Sequence, residues 1–265
     1  LMVGDPDQLP AIGMGCPLHD LINSNYIPNF RLIKNFRSKD SDIPKFLEVI
    51  KSDDYFAYRK EKYNNIHFNF NSNYKDCLKK LLIEFKNKGL VPYNGLDADN
   101  TFQILSPFNL NVYDKELVSM VRNTFFNNND TILYELNDTI IMNKNTPYFK
   151  NGDYAKIINK TDNNNYIDYE ILLINNKFTY KKYDDENIEF LDESTVKITL
   201  YRDAKKNSYF KPSFIMSIHT SQGLGFNNVI TIYTSYGRKG FISKKLNYTA
   251  FSRAKQRSEE RRVGK

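Results

Sequence analysis

The sequence predicts an α/β fold interrupted by a small all-β module. Three observations carry that expectation. Apolar runs that end at turns alternate with helix-period segments on both sides of the chain's middle. From about Asp138 to Phe210 no helix-period segment occurs, and short strands follow one another between turns. From residue 213 an apolar strand or short helix, a glycine-punctuated polar turn and a β-branched apolar strand return to the α/β pattern.

Each element has a local reason. "LMVGDPDQLP" reads as the end of a strand running into a turn, and "CPLHDLINSN" as a short helix. In "SDIPKFLEVIKSDD", Ile43, Phe46, Leu47 and Ile50 fall at helical spacing behind Ser41 or Asp42 as cap. "NIHFNFN" alternates as a strand does. "YKDCLKKLLIEFKNKG" places Cys77, Leu78, Leu81, Leu82 and Phe85 on one helical face and ends at Gly89. "TFQILSPF" is an apolar run ending at Ser-Pro, typical of a buried parallel strand, and "DKELVSMVRNTFF" follows it as a helix. "DTIIMNK", "YAKIINK", "YEILLIN", "KFTYKKY" and "VKITLYR" make up the β-rich middle.

Composition bounds the function. The 265 residues suit one or two domains, and 40% hydrophobic residues suffice for a packed core. No apolar run reaches the roughly 18–20 residues of a membrane helix, so no membrane association is expected. Two cysteines, Cys16 and Cys77, stand far apart in unlike contexts. With only three histidines they argue against a structural disulfide or a metal site and for an intracellular setting. The net charge of +7 suits a polyanion such as nucleic acid, or simply a solvated surface. Asparagine clusters such as "FFNNND" read as loops.

Four short motifs carry chemistry. "GDPDQLP" sets Asp5 and Gln8 on a tight turn after a strand, where ligands bind in open α/β sheets. The Gln8 amide both donates and accepts, so it can report a phosphate or a water. "NFRS" offers Arg37, whose planar fork suits phosphate oxygens. "SIHTSQGLGF" packs His219, Thr220, Ser221 and Gln222 before Gly223, a turn able to hold phosphates. "LNYTAFSRAK" reads as a short helix presenting Arg253.

Taken in this order, the motifs resemble those of superfamily 1 helicases, and among them the RecD-like branch. The family pattern GDxxQLP is its motif III, an FR(S/Q) element follows, H-x-SQG is motif V and Y-x-A-x-(S/T)-R-A-K is motif VI. "FKNGDYAKI" is similar to the turn entering the SH3-like insertion of RecD relatives. The resemblance spans Leu1 to about Lys255. It implies RecA-like parallel-sheet domains of the P-loop NTPase type with an inserted SH3-like β-barrel. Residues 1–34 would end a first RecA-like domain, 35–146 and 213–256 would be two parts of a second, and 147–212 the barrel. The charged tail 257–265 is expected to be non-native, with a disordered basic extension as the alternative.

The resemblance also implies roles. Gln8, Arg37 and Arg253 would be catalytic at the terminal phosphate of ATP, with Asp5 shaping the turn and Gln222 and Gly223 linking nucleotide to nucleic acid. Ser106, Pro107, Asn109, His219, Thr220 and Ser221 would meet single-stranded DNA through its backbone, RNA being the alternative polymer. Family members carry Gly-x-x-x-x-Gly-Lys-(Ser/Thr) and an acidic pair for Mg²⁺ upstream of motif III. Neither occurs here in that place; "IEFLDES" imitates the acidic strand but lies after motif III. The expectation is therefore a C-terminal fragment, motifs III to VI, of an ATP-dependent 5′-to-3′ DNA helicase, with ATP and Mg²⁺ bound mainly by an upstream part. The fragment alone is expected to be inactive. Gly225 stands where many relatives have the motif V glutamate. A nucleic-acid-binding module without catalysis and a fragment of a viral RNA helicase are the alternatives. A structural β-barrel protein would need the four motifs to be coincidence.

Overall fold

The computed structural model describes residues 2–10, 13, 15–32, 38, 41–52, 62–70, 73–95, 99–107, 115–126, 134–174, 177–178, 181–201, 209–233 and 242–262. Its helices are α1 (Pro17–Ser24), α2 (Ile43–Lys51), α3 (Tyr74–Asn87), α4 (Lys115–Phe126) and α5 (Lys244–Phe251). The strands are β1 (Ile66–Phe70), β2 (Val91–Pro92), β3 (Thr101–Ser106), β4 (Thr139–Met142), β5 (Tyr154–Asp162) and β6 (Tyr166–Leu173). They continue with β7 (Ile188–Phe190), β8 (Thr195–Tyr201), β9 (Phe210–Pro212), β10 (Ile215–Ser217), β11 (Phe226–Tyr233) and β12 (Ala254–Arg262). No helix among the described residues is long and apolar enough to cross a membrane. The chain divides into two compact units.

The first unit comprises Leu1–Leu78, Phe102–Phe108 and Ser217–Lys265. Its sheet is parallel in the order β1-β12-β11-β3. β3 and β11 are buried at every position, the polar Thr101, Gln103, Ser106, Asn227, Asn228 and Thr231 included, as befits strands covered on both faces. α2 packs against α5 through Phe46, whose ring lies 4.7 Å from that of Phe251 and 5.2 Å from that of Tyr63. Asp42 precedes α2 but does not cap it; its carboxylate accepts the Asn64 N–H at 2.6 Å instead. Residues 2–5 are not in a strand, contrary to the pattern of "LMV", and Met2 and Val3 are exposed. α1 forms as read, with Pro17 at its start and no buried residue.

β12 departs most from expectation. The charged segment after motif VI offers no apolar strand, yet residues 254–262 pair with both β1 and β11. Backbone hydrogen bonding sets this position, since every residue contributes the same donor and acceptor whatever its side chain.

The second unit comprises Lys79–Thr101 and Asn109–Met216. The β-rich middle is here a six-stranded antiparallel sheet, ordered β7-β8-β6-β5-β4-β9. β6 alternates between buried and half-buried positions along its whole length, the period-2 signature of a strand with one face on a core. Ile140, Ala155, Ile157, Tyr169, Ile171, Val196, Ile198 and Phe210 build that core. The β4–β5 turn uses Gly152 at φ +101°, whose N–H bonds the Met142 carbonyl at 2.9 Å. The described residues of "KFTYKKY" form no strand. They are held individually: the Phe178 N–H donates to the Glu193 carbonyl at 2.7 Å, and the Tyr148 hydroxyl to the Lys181 carbonyl. "IEFLDES" opens with β7, an edge strand of this sheet, whose Glu189 pairs with Lys197.

Candidate functional site

The site lies in the first unit and begins with the turn of "GDPDQLP". The Gln8 N–H closes on the Asp5 carbonyl at 3.3 Å, and Asp5 Oδ1 accepts the Asp7 N–H at 3.0 Å. This side chain-to-backbone bond is the usual reason for Asp at the start of a turn. Asp5 Oδ2 accepts from Gln8 Nε2 at 2.9 Å and from the Tyr248 hydroxyl at 3.4 Å. Burial first, then the neighbouring Asp5 and Asp7 carboxylates, pushes the Tyr248 phenol above its ordinary range. Tyr248 thus stays protonated at neutral pH and serves as a donor. Asp7 faces outward to Arg31 at 2.7 Å and Lys51 at 3.8 Å.

With its Nε2 turned to Asp5, the Gln8 amide presents Oε1 to Arg253. Arg253 Nη2 donates to that oxygen at 3.0 Å, across 245 residues of sequence. The guanidinium is 2% exposed. All five of its N–H groups are engaged. Nε donates to the Thr249 carbonyl at 3.2 Å, and Nη1 to the carbonyls of Leu224 and Ser221 at 3.0 and 3.4 Å. Nη2 donates, besides Gln8, to Ser252 Oγ at 2.9 Å. Arg253 is not presented by a helix, as the pattern of "LNYTAFSRAK" had indicated. It follows α5 in a turn, where its side chain runs inward.

The third contributor is the turn after β10. The Ser221 N–H bonds the Ser217 carbonyl at 3.1 Å and the Leu224 N–H the Ser221 carbonyl at 3.0 Å. Gly223, at φ +83°, ends the turn in a conformation that side chains disfavour. Gln222 Nε2 donates to the Leu9 carbonyl at 2.9 Å, which fastens this turn to the residue after Gln8. Asp5, Gln8, Gln222 and Arg253, drawn from three motifs, therefore share one network.

The residues expected at nucleic acid divide by exposure. Ser106 ends β3 and Pro107 follows it, and the Ile218 N–H donates to the Ser106 carbonyl at 2.8 Å, so both motif segments meet here. Ser106, Pro107 and Ser221 are buried. The Ser221 hydroxyl donates to the Ile218 carbonyl at 2.7 Å, which commits its proton within the turn. Thr220 is exposed, with its Oγ1 2.8 Å from Ser217 Oγ, and His219 is half-buried. Arg37 and Asn109 lie outside the described residues. Sequence reasoning missed Tyr248 and Thr249; only their place inside motif VI pointed to them. Among the described residues no group of three or more His, Cys, Asp or Glu is arranged to hold a metal ion.

No protein-family model matches the chain. An 85-residue stretch, 30% of the chain, is 35% identical to an uncharacterised protein of Methanocaldococcus jannaschii and covers 7% of that protein. Among solved structures, the chain is similar to Bacteroides Pif1 bound to single-stranded DNA. The two are 15% identical, with a TM-score of 0.43, over 97% of this chain and 60% of that one. A Bacteroides Pif1 helicase in complex with ADP-AlF3 and single-stranded DNA gives 15% identity and a TM-score of 0.36 over the same shares. Pif1 helicase from Candida albicans gives 15% identity and a TM-score of 0.34, over 88% of this chain and 56% of that one. The chain spans about three fifths of the length of these helicase chains.

Proposed function

We propose that this chain is the C-terminal part of an ATP-dependent 5′-to-3′ DNA helicase of superfamily 1, RecD-like branch. In this reading the parallel sheet is RecA-like and residues 147–212 form an SH3-like insertion. One observation supports it above the others. Gln8, Gln222 and Arg253, picked from sequence as motifs III, V and VI, converge although up to 245 residues separate them: Arg253 bonds Gln8 directly, and Gln222 bonds the carbonyl of the adjacent Leu9. Chance similarity of short motifs gives no reason for such convergence.

The chemistry follows from the donors. In this reading a terminal phosphate oxygen would replace Gln8 Oε1 at Nη2 of Arg253 during hydrolysis. A guanidinium there spreads over the oxygens that gain charge in the transition state. Arg37 supplies the second guanidinium in this proposal. Thr220 and His219 meet the DNA backbone, while Ser106, Pro107 and Ser221 shape the ground beneath them. Arg253 could take a terminal phosphate only if Gln8 Oε1 gave up its place at Nη2, and the described residues offer no set for Mg²⁺, so no step is assigned to the metal.

The reading frame upstream of Leu1 tests this proposal. It is expected to encode a Gly-x-x-x-x-Gly-Lys-(Ser/Thr) element followed by an acidic strand, and the extended protein to hydrolyse ATP when single-stranded DNA is added. Arg253→Ala in that protein is expected to lower the rate by about 10³–10⁵. Purified 1–265 alone is expected to show no turnover. Turnover by 1–265 that Arg253→Ala abolishes would contradict the assignment of the phosphate cradle to another segment.

A further inference from the structure

We propose that Thr249 is the positioning residue that sets the distance between Gln8 and Arg253. The motif VI pattern leaves its position open, and no role attaches to it from the sequence. The inference rests on the helicase reading for its purpose, but its geometry stands independently.

Thr249 is fully buried on α5. Its Oγ1 accepts the N–H of Leu9 at 2.9 Å, across 240 residues of sequence. Its carbonyl accepts both Arg253 Nε at 3.2 Å and Ser252 Oγ at 2.8 Å. One residue therefore holds the two partners from opposite ends. The hydroxyl fixes the peptide that leaves Gln8, and the carbonyl fixes the root of the guanidinium. With Gln222 on the Leu9 carbonyl, both polar groups of the Leu9 backbone are clamped. The side chains of the turn from Asp5 to Gln8 reach α5 and the turn after it, Asp5 through the Tyr248 hydroxyl at 3.4 Å and Gln8 through Arg253 at 3.0 Å, and what remains to be fixed is the register of the Leu9 backbone against α5. The Thr249 hydroxyl supplies that register.

Three variants of the 265-residue chain test it. Thr249→Val keeps the shape and removes the acceptor. Thr249→Ala removes the side chain while favouring the helix, and so guards against loss of folding. Thr249→Ser restores the acceptor. Two NMR readouts apply: hydrogen exchange at the Leu9 amide and the Nε–H resonance of Arg253. In the Val and Ala variants, Leu9 exchange is expected to rise roughly tenfold and the Arg253 signal to shift, with β11 amides unchanged. The Ser variant is expected to return both to wild-type behaviour. Unchanged Leu9 exchange and Arg253 signal in both Val and Ala variants would overturn the proposal, and so would failure of serine to rescue. Binding of a labelled oligo-dT by the wild-type sample reports on the helicase reading separately. Its absence removes that reading and leaves the clamp to be judged on the exchange data.

Discussion

Arg253→Ala is expected to destabilise the first unit by about 3–5 kcal/mol, a large share of a typical domain's total stability. The guanidinium is 2% exposed and engages five acceptors. Its removal strands the Leu224 carbonyl and the Gln8 amide oxygen, each costing about 1–3 kcal/mol if left unpaired in the interior, while the Ser221 carbonyl keeps the Leu224 N–H. It also opens a cavity where a large side chain had been. Arg253→Lys is expected to recover little. An ammonium places its donors on one atom and cannot span acceptors reached from Nε, Nη1 and Nη2. Urea unfolding of 1–265, followed by a probe in the first unit, measures both. An arginine that merely pointed from the surface toward a ligand would change stability by about 0.5 kcal/mol or less. A near-neutral Arg253→Ala therefore argues against the network.

The second large effect concerns the other unit. Arg122→Met is expected to cost about 3 kcal/mol at neutral pH. Arg122 Nη2 pairs with Asp138 Oδ2, with side-chain exposures of 4% and 13%, and its guanidinium lies 5.1 Å from the centre of the Tyr134 ring. Burial raises the Asp138 carboxyl above its usual range, opposed by Arg122 and by the Glu135 N–H that Oδ2 accepts at 2.8 Å. The folded state thus holds the Asp138 proton more tightly than the unfolded chain does. Stability from this group increases as pH falls through the folded value, and the gain is complete below the unfolded value. Without Arg122 the carboxyl rises further, so the deficit of Arg122→Met should narrow in mildly acid solution. Arg122→Met with Asp138→Asn is expected to regain most of the loss, because Asn removes the charge and keeps an acceptor for Glu135. A single-variant deficit that stays constant from pH 7 to about pH 4.5 would contradict this account of the carboxyl.

What the sequence disclosed and what it hid separate on physical grounds. Periodicity is a local property, and it located α3 with Cys77, Leu78, Leu81, Leu82 and Phe85 all buried on one face. The apolar residues of β3 and β11 announced burial, although not that Gln103, Asn227 and Asn228 are buried with them. The alternation of β6 announced burial on one. Motif spacing selected Gln8, Gln222 and Arg253, which the fold brings together. It did not disclose that Arg253 is buried with every donor engaged, or that Thr249 and Tyr248 belong to the same network. The bonds of Tyr248, Thr249 and Arg253 to the Asp5–Leu9 turn span more than 200 positions, and those of Arg253 to Ser221 and Leu224 span 32 and 29, distances over which no local pattern exists. Side-chain character misled at β12, where charge argued against a strand and backbone pairing makes one. It misled also at "KFTYKKY", where an alternating pattern has no partner strand among the described residues.

The measurement that tests the motor reading most directly is the affinity of 1–265 for a labelled oligo-dT at about 50 and about 200 mM salt, followed by fluorescence anisotropy. Contacts made to the phosphate backbone predict binding that weakens by about tenfold or more across that interval and is indifferent to base sequence. No binding at either salt concentration, or an affinity that does not move between them, contradicts the account.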